Sequence, residues 1–215
     1  MSLFLPELNA LFIHIPKTGG TWVKRVLLES GLECLPAVGA GSHNLTWRYE
    51  HPGTRKFAFV RHPLTWLESA WRGLHESWPN QQPSPVLFNE RAFTPIRLLT
   101  RTCGELDFGS FVRAVLDREP AFVTRMYEWY IGPCGAPLVE MVGRMESLAE
   151  DLSQILASLG FQGSLPGTNP ANVGSGEQPE WNATYRDMVE HSEVGSIRRF
   201  YAAGSSGPFI CKETW

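Results

Sequence analysis

No segment of this 215-residue chain approaches the ~20 consecutive apolar residues that a membrane-spanning helix needs. The chain opens MSLFLPELNALFIHIPK, with no basic region ahead of its apolar residues, so neither a signal peptide nor an N-terminal anchor is expected. Charge of one sign is scarce as well. The 19 Lys and Arg stand against 22 Asp and Glu, a net charge of −3, with no run of like charges. That balance argues against a nucleic-acid polymer as partner and against a broad basic groove, while leaving room for a local basic patch. The four cysteines, Cys34, Cys103, Cys134 and Cys211, lack metal-type spacing, and an even count does not compel disulfides in a chain this long. No internal repeat is visible. No G-x-G-x-x-G follows a strand-like run, which removes support for a dinucleotide-binding fold. The Walker A pattern is missing too: Lys17 precedes Gly19 and Gly20 instead of following the last glycine, so an ordinary ATPase or GTPase is disfavoured.

What is present is ordinary in bulk and unusual in two places. Hydrophobic residues at 43% and charged residues at 19% are globular values, and the length suits one domain over residues 1–215. The first unusual place is LFIHIPKTGGTWVKRVLLESG, residues 11–31. Leu11 to Ile15 reads as a buried strand, PKTGG as a tight loop, and the rest as a helix. Such a loop aims backbone N–H groups and one ammonium at a single point, and the helix N-terminus adds partial positive charge there. A phosphate-like anion fits this arrangement. The second place is FAFVRHPLTWLESAWRGL, residues 57–74. Phe57 to Val60 is strand-like, Arg61 stands at its end, and Pro63 suits the first turn of a helix whose apolar residues recur at Leu64, Leu67, Trp71 and Leu74. An arginine at a strand end offers a planar fork for charge-assisted bonds to phosphate.

The string HIPKTGGT resembles the 5′-phosphosulfate-binding loop of sulfotransferases, which use 3′-phosphoadenosine-5′-phosphosulfate (PAPS) and release adenosine 3′,5′-bisphosphate (PAP). Its wording is closest to the carbohydrate branch, which includes heparan and chondroitin sulfotransferases. The resemblance implies cofactor contacts from Lys17, Thr18, Gly19, Gly20, Thr21 and Trp22. It also implies a grip on the 3′-phosphate by Arg61 and Ser69, whose eight-residue separation is the family's. One departure is Trp66, where the family often carries a second Arg in P-x-x-R. Residues 142–161, VGRMESLAEDLSQILASLGF, look like the family's strand-then-helix segment with R-x-E-x-L, and Gly160 reads as the helix stop. Glu146 there is read as structural, an acid favourable to a helix N-terminus. NPANVGSGEQPEW (169–181) is similar to the family's late loop, with Asn172 and Ser175 as matching nucleotide contacts. A last helix is expected over 184–202, with Tyr201 near its end. The following YAAGSSGPF lacks the acidic residue common in the family.

Sulfuryl transfer to a hydroxyl needs a base near neutral pH, which suits histidine. Of the six, His14, His62, His75 and His191 fall in expected strands, turns or helices. His43 lies in the polar stretch AGSHNLTW, where heparan-type relatives carry a catalytic His, and is taken as the base. Glu50 and His51 are the fallbacks. The fold implied is α/β, a central parallel sheet flanked by helices in a P-loop-like sulfotransferase arrangement. Ligands of such sheets sit at the carboxyl ends of the strands, where both motifs fall. The implied activity is transfer from PAPS to the hydroxyl of a small-molecule or carbohydrate acceptor, with Lys17 and His43 catalytic and no metal. A soluble, cytoplasmic, bacterial enzyme is the expectation. Two alternatives stand beside it: a small-molecule kinase with a divergent phosphate loop, and a PAP-binding module without turnover. Most tryptophans read as core, and Trp78, at the mouth of the Pro-rich stretch 78–97, is the best candidate to line an acceptor cleft. DFGSFVRAVLDRE (107–119) is expected to be a helix capped by Asp107 or Ser110.

Overall fold

The computed structural model describes residues 2–37, 53–77, 107–167, 179–202 and 207–210. Its strands are β1 (Leu3–Leu5), β2 (Ala10–Ile13), β3 (Leu35–Pro36), β4 (Arg55–Val60), β5 (Met141–Arg144) and β6 (Phe209–Ile210). The helices are α1 (Gly20–Glu29), α2 (Pro63–Ser77), α3 (Phe108–Arg118), α4 (Phe122–Ile131), α5 (Leu148–Ser158), α6 (Ala183–Ser192) and α7 (Val194–Phe200). The six strands form one sheet in the order β3-β1-β2-β4-β5-β6. Its centre, β2-β4-β5, is parallel as expected, with Ile13 paired to Ala58 and Val60 to Arg144. The outer strands are antiparallel, so the sheet is mixed. β1 joins β2 through the turn Pro6–Leu8 and Asn9, whose left-handed φ of 43° is one that asparagine tolerates. Strands of two or three residues carry too little periodicity to be read from sequence, which is why β1, β3 and β6 emerge only here.

Alternation along the central strands feeds two cores. Leu11, Ile13, Ala58, Val60 and Val142 face α2, α3, α4, α6 and α7. Phe12, Phe57, Phe59 and Met141 face α1 and α5. Helices therefore cover both faces of an α/β sheet, and the central strands read as continuous apolar runs because both sides are buried. Among the described residues no helix is long and apolar enough to cross a membrane.

The single helix expected over 184–202 is two helices, broken at Glu193. The cause is long-range. Helix α4 starts after Ala121, which offers no capping side chain. Glu193 reaches across to accept from Val123 N (3.0 Å), Thr124 N (2.7 Å) and the Thr124 hydroxyl (2.7 Å), while the Ser192 hydroxyl accepts from Ala121 N (2.8 Å). The orphan N–H groups of α4 are thus capped by residues about 70 positions away. Helix α3 carries the expected local cap, since Asp107 accepts from Ser110 N at 3.0 Å. Gly160, at φ 97°, follows α5 as its expected stop.

Candidate active site

The PKTGG loop leaves β2 and enters α1 at the carboxyl edge of the sheet. Gly19 is left-handed at φ 82°, and its carbonyl accepts from Trp22 N (2.9 Å) and Val23 N (3.1 Å). Among the described residues no side chain caps this helix end, and the helix offers no acceptor to the N–H groups of Gly20 and Thr21. Both glycines are also sterically required. A Cβ on Gly19 would lie 2.5 Å from Met145 Sδ and 2.8 Å from Leu148 Cδ2, and one on Gly20 would fall within the His14 ring. His14 therefore packs on the first turn of α1. Thr18 is buried, and its hydroxyl donates to Ile15 O (3.0 Å). Trp22 is a core residue on the buried face of α1, and Thr21 is exposed. Lys17 has φ 64°, a strained setting for a non-glycine residue that recurs at functional sites. Its ammonium lies directly against Gly73 of α2.

Arg61 follows β4, the strand beside β2. Its backbone is held from both sides by one phenol: Arg61 N donates to Tyr127 Oη (2.9 Å), and the Tyr127 hydroxyl donates to Arg61 O (2.6 Å). The guanidinium Nε donates to Thr65 Oγ1 at 3.2 Å, one helical turn on. Among the described residues nothing takes the two Nη groups. Burial pulls the Arg61 pKa below its usual value, with Glu146, Tyr127 and Glu68 pushing the other way and Arg72 adding a like charge. The result is a half-buried cation whose terminal fork meets no acceptor among the described residues. Ser69 and Gly73 stand four residues apart on α2, hence on one face, so Lys17 crosses to the helix that carries Ser69.

Trp66, the departure from P-x-x-R, is fully buried and donates from Nε1 to Pro16 O at 2.9 Å. It ties the first turn of α2 to the Lys17 loop. Sequence reasoning passed over Thr65, Tyr127, Gly73 and the reach of Glu146. Thr65 was detectable as the i+4 neighbour of Arg61, whereas Tyr127 lies 66 positions away and left no local sign. Glu146 does stand near a helix start, but its carboxylate works at the β4–α2 turn, accepting from His62 N (2.8 Å) and from the Tyr201 hydroxyl (3.0 Å). The Tyr201 ring meets His62 edge-on at 5.0 Å. Burial lowers the His62 pKa, more than Glu146 and Glu190 raise it. Burial also raises that of Tyr201, keeping the phenol protonated as a donor. Trp181 docks on α2 through Nε1 to Glu68 Oε1 (2.5 Å) and on Phe108 edge-on at 4.8 Å. His43, Glu50, His51, Trp78, Asn172 and Ser175 lie outside the described residues. Cys34 and Cys134 are free thiols. Among the described residues no group of three or more His, Cys, Asp or Glu gathers as a metal site.

A family model described as "Sulfotransferase family" matches residues 2–202. No curated protein and no solved structure matches the chain significantly.

Proposed function

The chain belongs to the sulfotransferase family, and from that premise we propose that it transfers a sulfuryl group from PAPS to an acceptor hydroxyl, releasing PAP. The observation that carries the reading is the pairing of two cationic grips on adjacent parallel strands. The start of α1, with Lys17, follows β2, and Arg61, whose Nη groups meet no acceptor among the described residues, follows β4. Two phosphates of one nucleotide suit such a pair, and the donor set fits the cofactor: N–H groups and an ammonium for the 5′ side, a guanidinium and the Ser69 hydroxyl for the 3′ side. Asn172 and Ser175 complete the nucleotide contacts in this proposal, and the acceptor is a small molecule or a carbohydrate.

In the reaction the acceptor O–H gives its proton to His43. The acceptor oxygen forms a bond to sulfur as the bond from sulfur to the 5′-phosphate oxygen breaks. The electron pair stays with the phosphate. Lys17 and the N–H groups of Gly20 and Thr21 stabilise the charge that builds on that leaving group. Positioning and charge stabilisation dominate, as in phosphoryl transfer. Arg61 and Ser69 supply binding energy remote from the reacting bond, which serves orientation.

Calorimetric titration with PAP, adenosine 5′-monophosphate and ATP with Mg²⁺ tests the reading. PAP is expected to bind more tightly than the monophosphate by about ten- to a hundredfold, the worth of a charge-assisted contact. Arg61→Ala should remove most of that preference. Equal affinities, or a preference for ATP with Mg²⁺, would refute the proposal and favour the kinase alternative. PAP binding without product from a panel of hydroxyl acceptors would favour the module without turnover.

A further inference from the structure

The turn Met145–Ser147 after β5 touches both grips at once. On one side Met145 and Leu148 press against Gly19, so closely that no Cβ fits there. On the other, Glu146 holds the Arg61 turn. Its Oε1 accepts from His62 N at 2.8 Å and lies 3.4 Å from Thr65 Oγ1, the same hydroxyl that accepts from Arg61 Nε at 3.2 Å. The Thr65 proton has two acceptors within reach, Glu146 Oε1 and His62 O at 3.1 Å. Glu146 Oε2 takes the Tyr201 hydroxyl at 3.0 Å, which anchors the carboxylate from the far side. The root of the turn is fixed as well, since Arg144 N donates to the buried Asp151 Oδ2 at 2.7 Å and Arg144 Nη2 to Gly207 O at 2.8 Å.

We propose that this turn is the spacer that sets the separation of the two phosphate grips, and that Glu146 is a positioning residue for Arg61 and so for recognition of the 3′-phosphate. The proposal rests on the PAPS reading above. Three features carry it. Consecutive residues of one short turn contact the two grips in opposite directions. Both carboxylate oxygens of Glu146 are engaged, Oε1 at the β4–α2 turn and Oε2 by its anchor Tyr201. The carboxylate also occupies the N-terminus of α2, where its charge is favourable. The first-turn Leu64 N is itself taken by His62 Nδ1 (3.4 Å), and in this proposal phosphate recognition on this side falls to Arg61 and Ser69. Such a carboxylate fixes the direction in which the Arg61 fork points without touching the ligand. Displacement of a binding group by about 1 Å can cost about a hundredfold.

The test compares PAP with adenosine 5′-monophosphate for the wild type, Glu146→Ala, Glu146→Gln and Thr65→Ala, with thermal unfolding of each. Glu146→Ala should lose about ten- to a hundredfold in PAP affinity while monophosphate affinity changes less than about twofold. Glu146→Gln should recover part of the loss, because its amide oxygen still accepts from His62 N. Thr65→Ala cuts the link to Arg61 Nε and should shrink the same preference without loosening the His62 contact. Should Glu146→Ala not fold, the Gln and Thr65 variants decide alone. A parallel fall for both nucleotides would mean a general structural prop and overturn the proposal, as would an unchanged PAP preference in all variants. A wild type without PAP preference would overturn the PAPS reading first, and this inference with it.

Discussion

Gly73 gives the sharpest prediction, because stability and function should move in opposite directions. It lies inside α2, where glycine costs about 1 kcal/mol relative to alanine. A Cβ added there meets the Lys17 ammonium and its Cε at 3.4 Å, and no other neighbour within 4 Å among the described residues. The obstructing atoms are the far end of a flexible side chain, so the fold can accept Gly73→Ala by moving the lysine. The helix then gains up to about 1 kcal/mol, which for a chain of this length raises Tm by about 2–4 °C. Lys17 loses its place on α2. If the ammonium docks on the 5′ side from there, PAP affinity and turnover should fall by about ten- to a hundredfold, the worth of one charge-assisted contact. Differential scanning calorimetry and PAP titration on the same preparation read both effects. A raised Tm with unchanged affinity would refute the functional meaning of the Lys17 pose. A lowered Tm would refute the steric reasoning itself.

Two further outcomes follow from buried polar contacts. Trp66→Phe removes the donor to Pro16 O and leaves a buried carbonyl unpaired, so it should cost about 1–3 kcal/mol, visible in denaturant unfolding. An unchanged midpoint would show that the indole bond does not hold the loop. For Glu193, burial raises the pKa above the ordinary 4.5, against the hydrogen bonds from Thr124 and Val123. The folded state then holds the proton more tightly than the unfolded one. Stability falls as pH rises from about 4.5 through the raised value, and below that window both states are protonated and the effect vanishes. Glu193→Gln cannot ionise and should lack this component. Wild-type stability that rises relative to the Gln variant across the window would contradict the assignment.

Both cationic motifs were legible because each is a short string with local physics. PKTGG holds a lysine and two glycines between an apolar run and a helical one, and RHP sets a cation before a helix-starting proline. The reason each glycine is needed was not legible. It depends on Met145, Leu148 and His14, two of which lie more than 120 residues from the loop. Trp66 looked like a missing arginine in the string, and in the fold it is the tie between α2 and the loop. Glu146 reads in the sequence as an acid that favours a helix N-terminus, and in the fold its partners are His62 N at the β4–α2 turn and the Tyr201 hydroxyl. The helix expected across 184–202 failed at Glu193 because periodicity sees only neighbours, while the break is set by the N-terminus of α4.

By itself the sequence determined the α/β class, the parallel pairing of the central strands, the family, and the two cationic motifs. Buried strands, caps and phosphate-seeking loops are properties of contiguous residues. Only the tertiary structure decided the antiparallel edges, the remote cap of α4, the path of Lys17 to Gly73 and the contacts of the turn Met145–Ser147 with Gly19 and His62. Each of these is a contact between segments far apart in the chain, and its energy depends on distances that exist only once the sheet has brought its strands together.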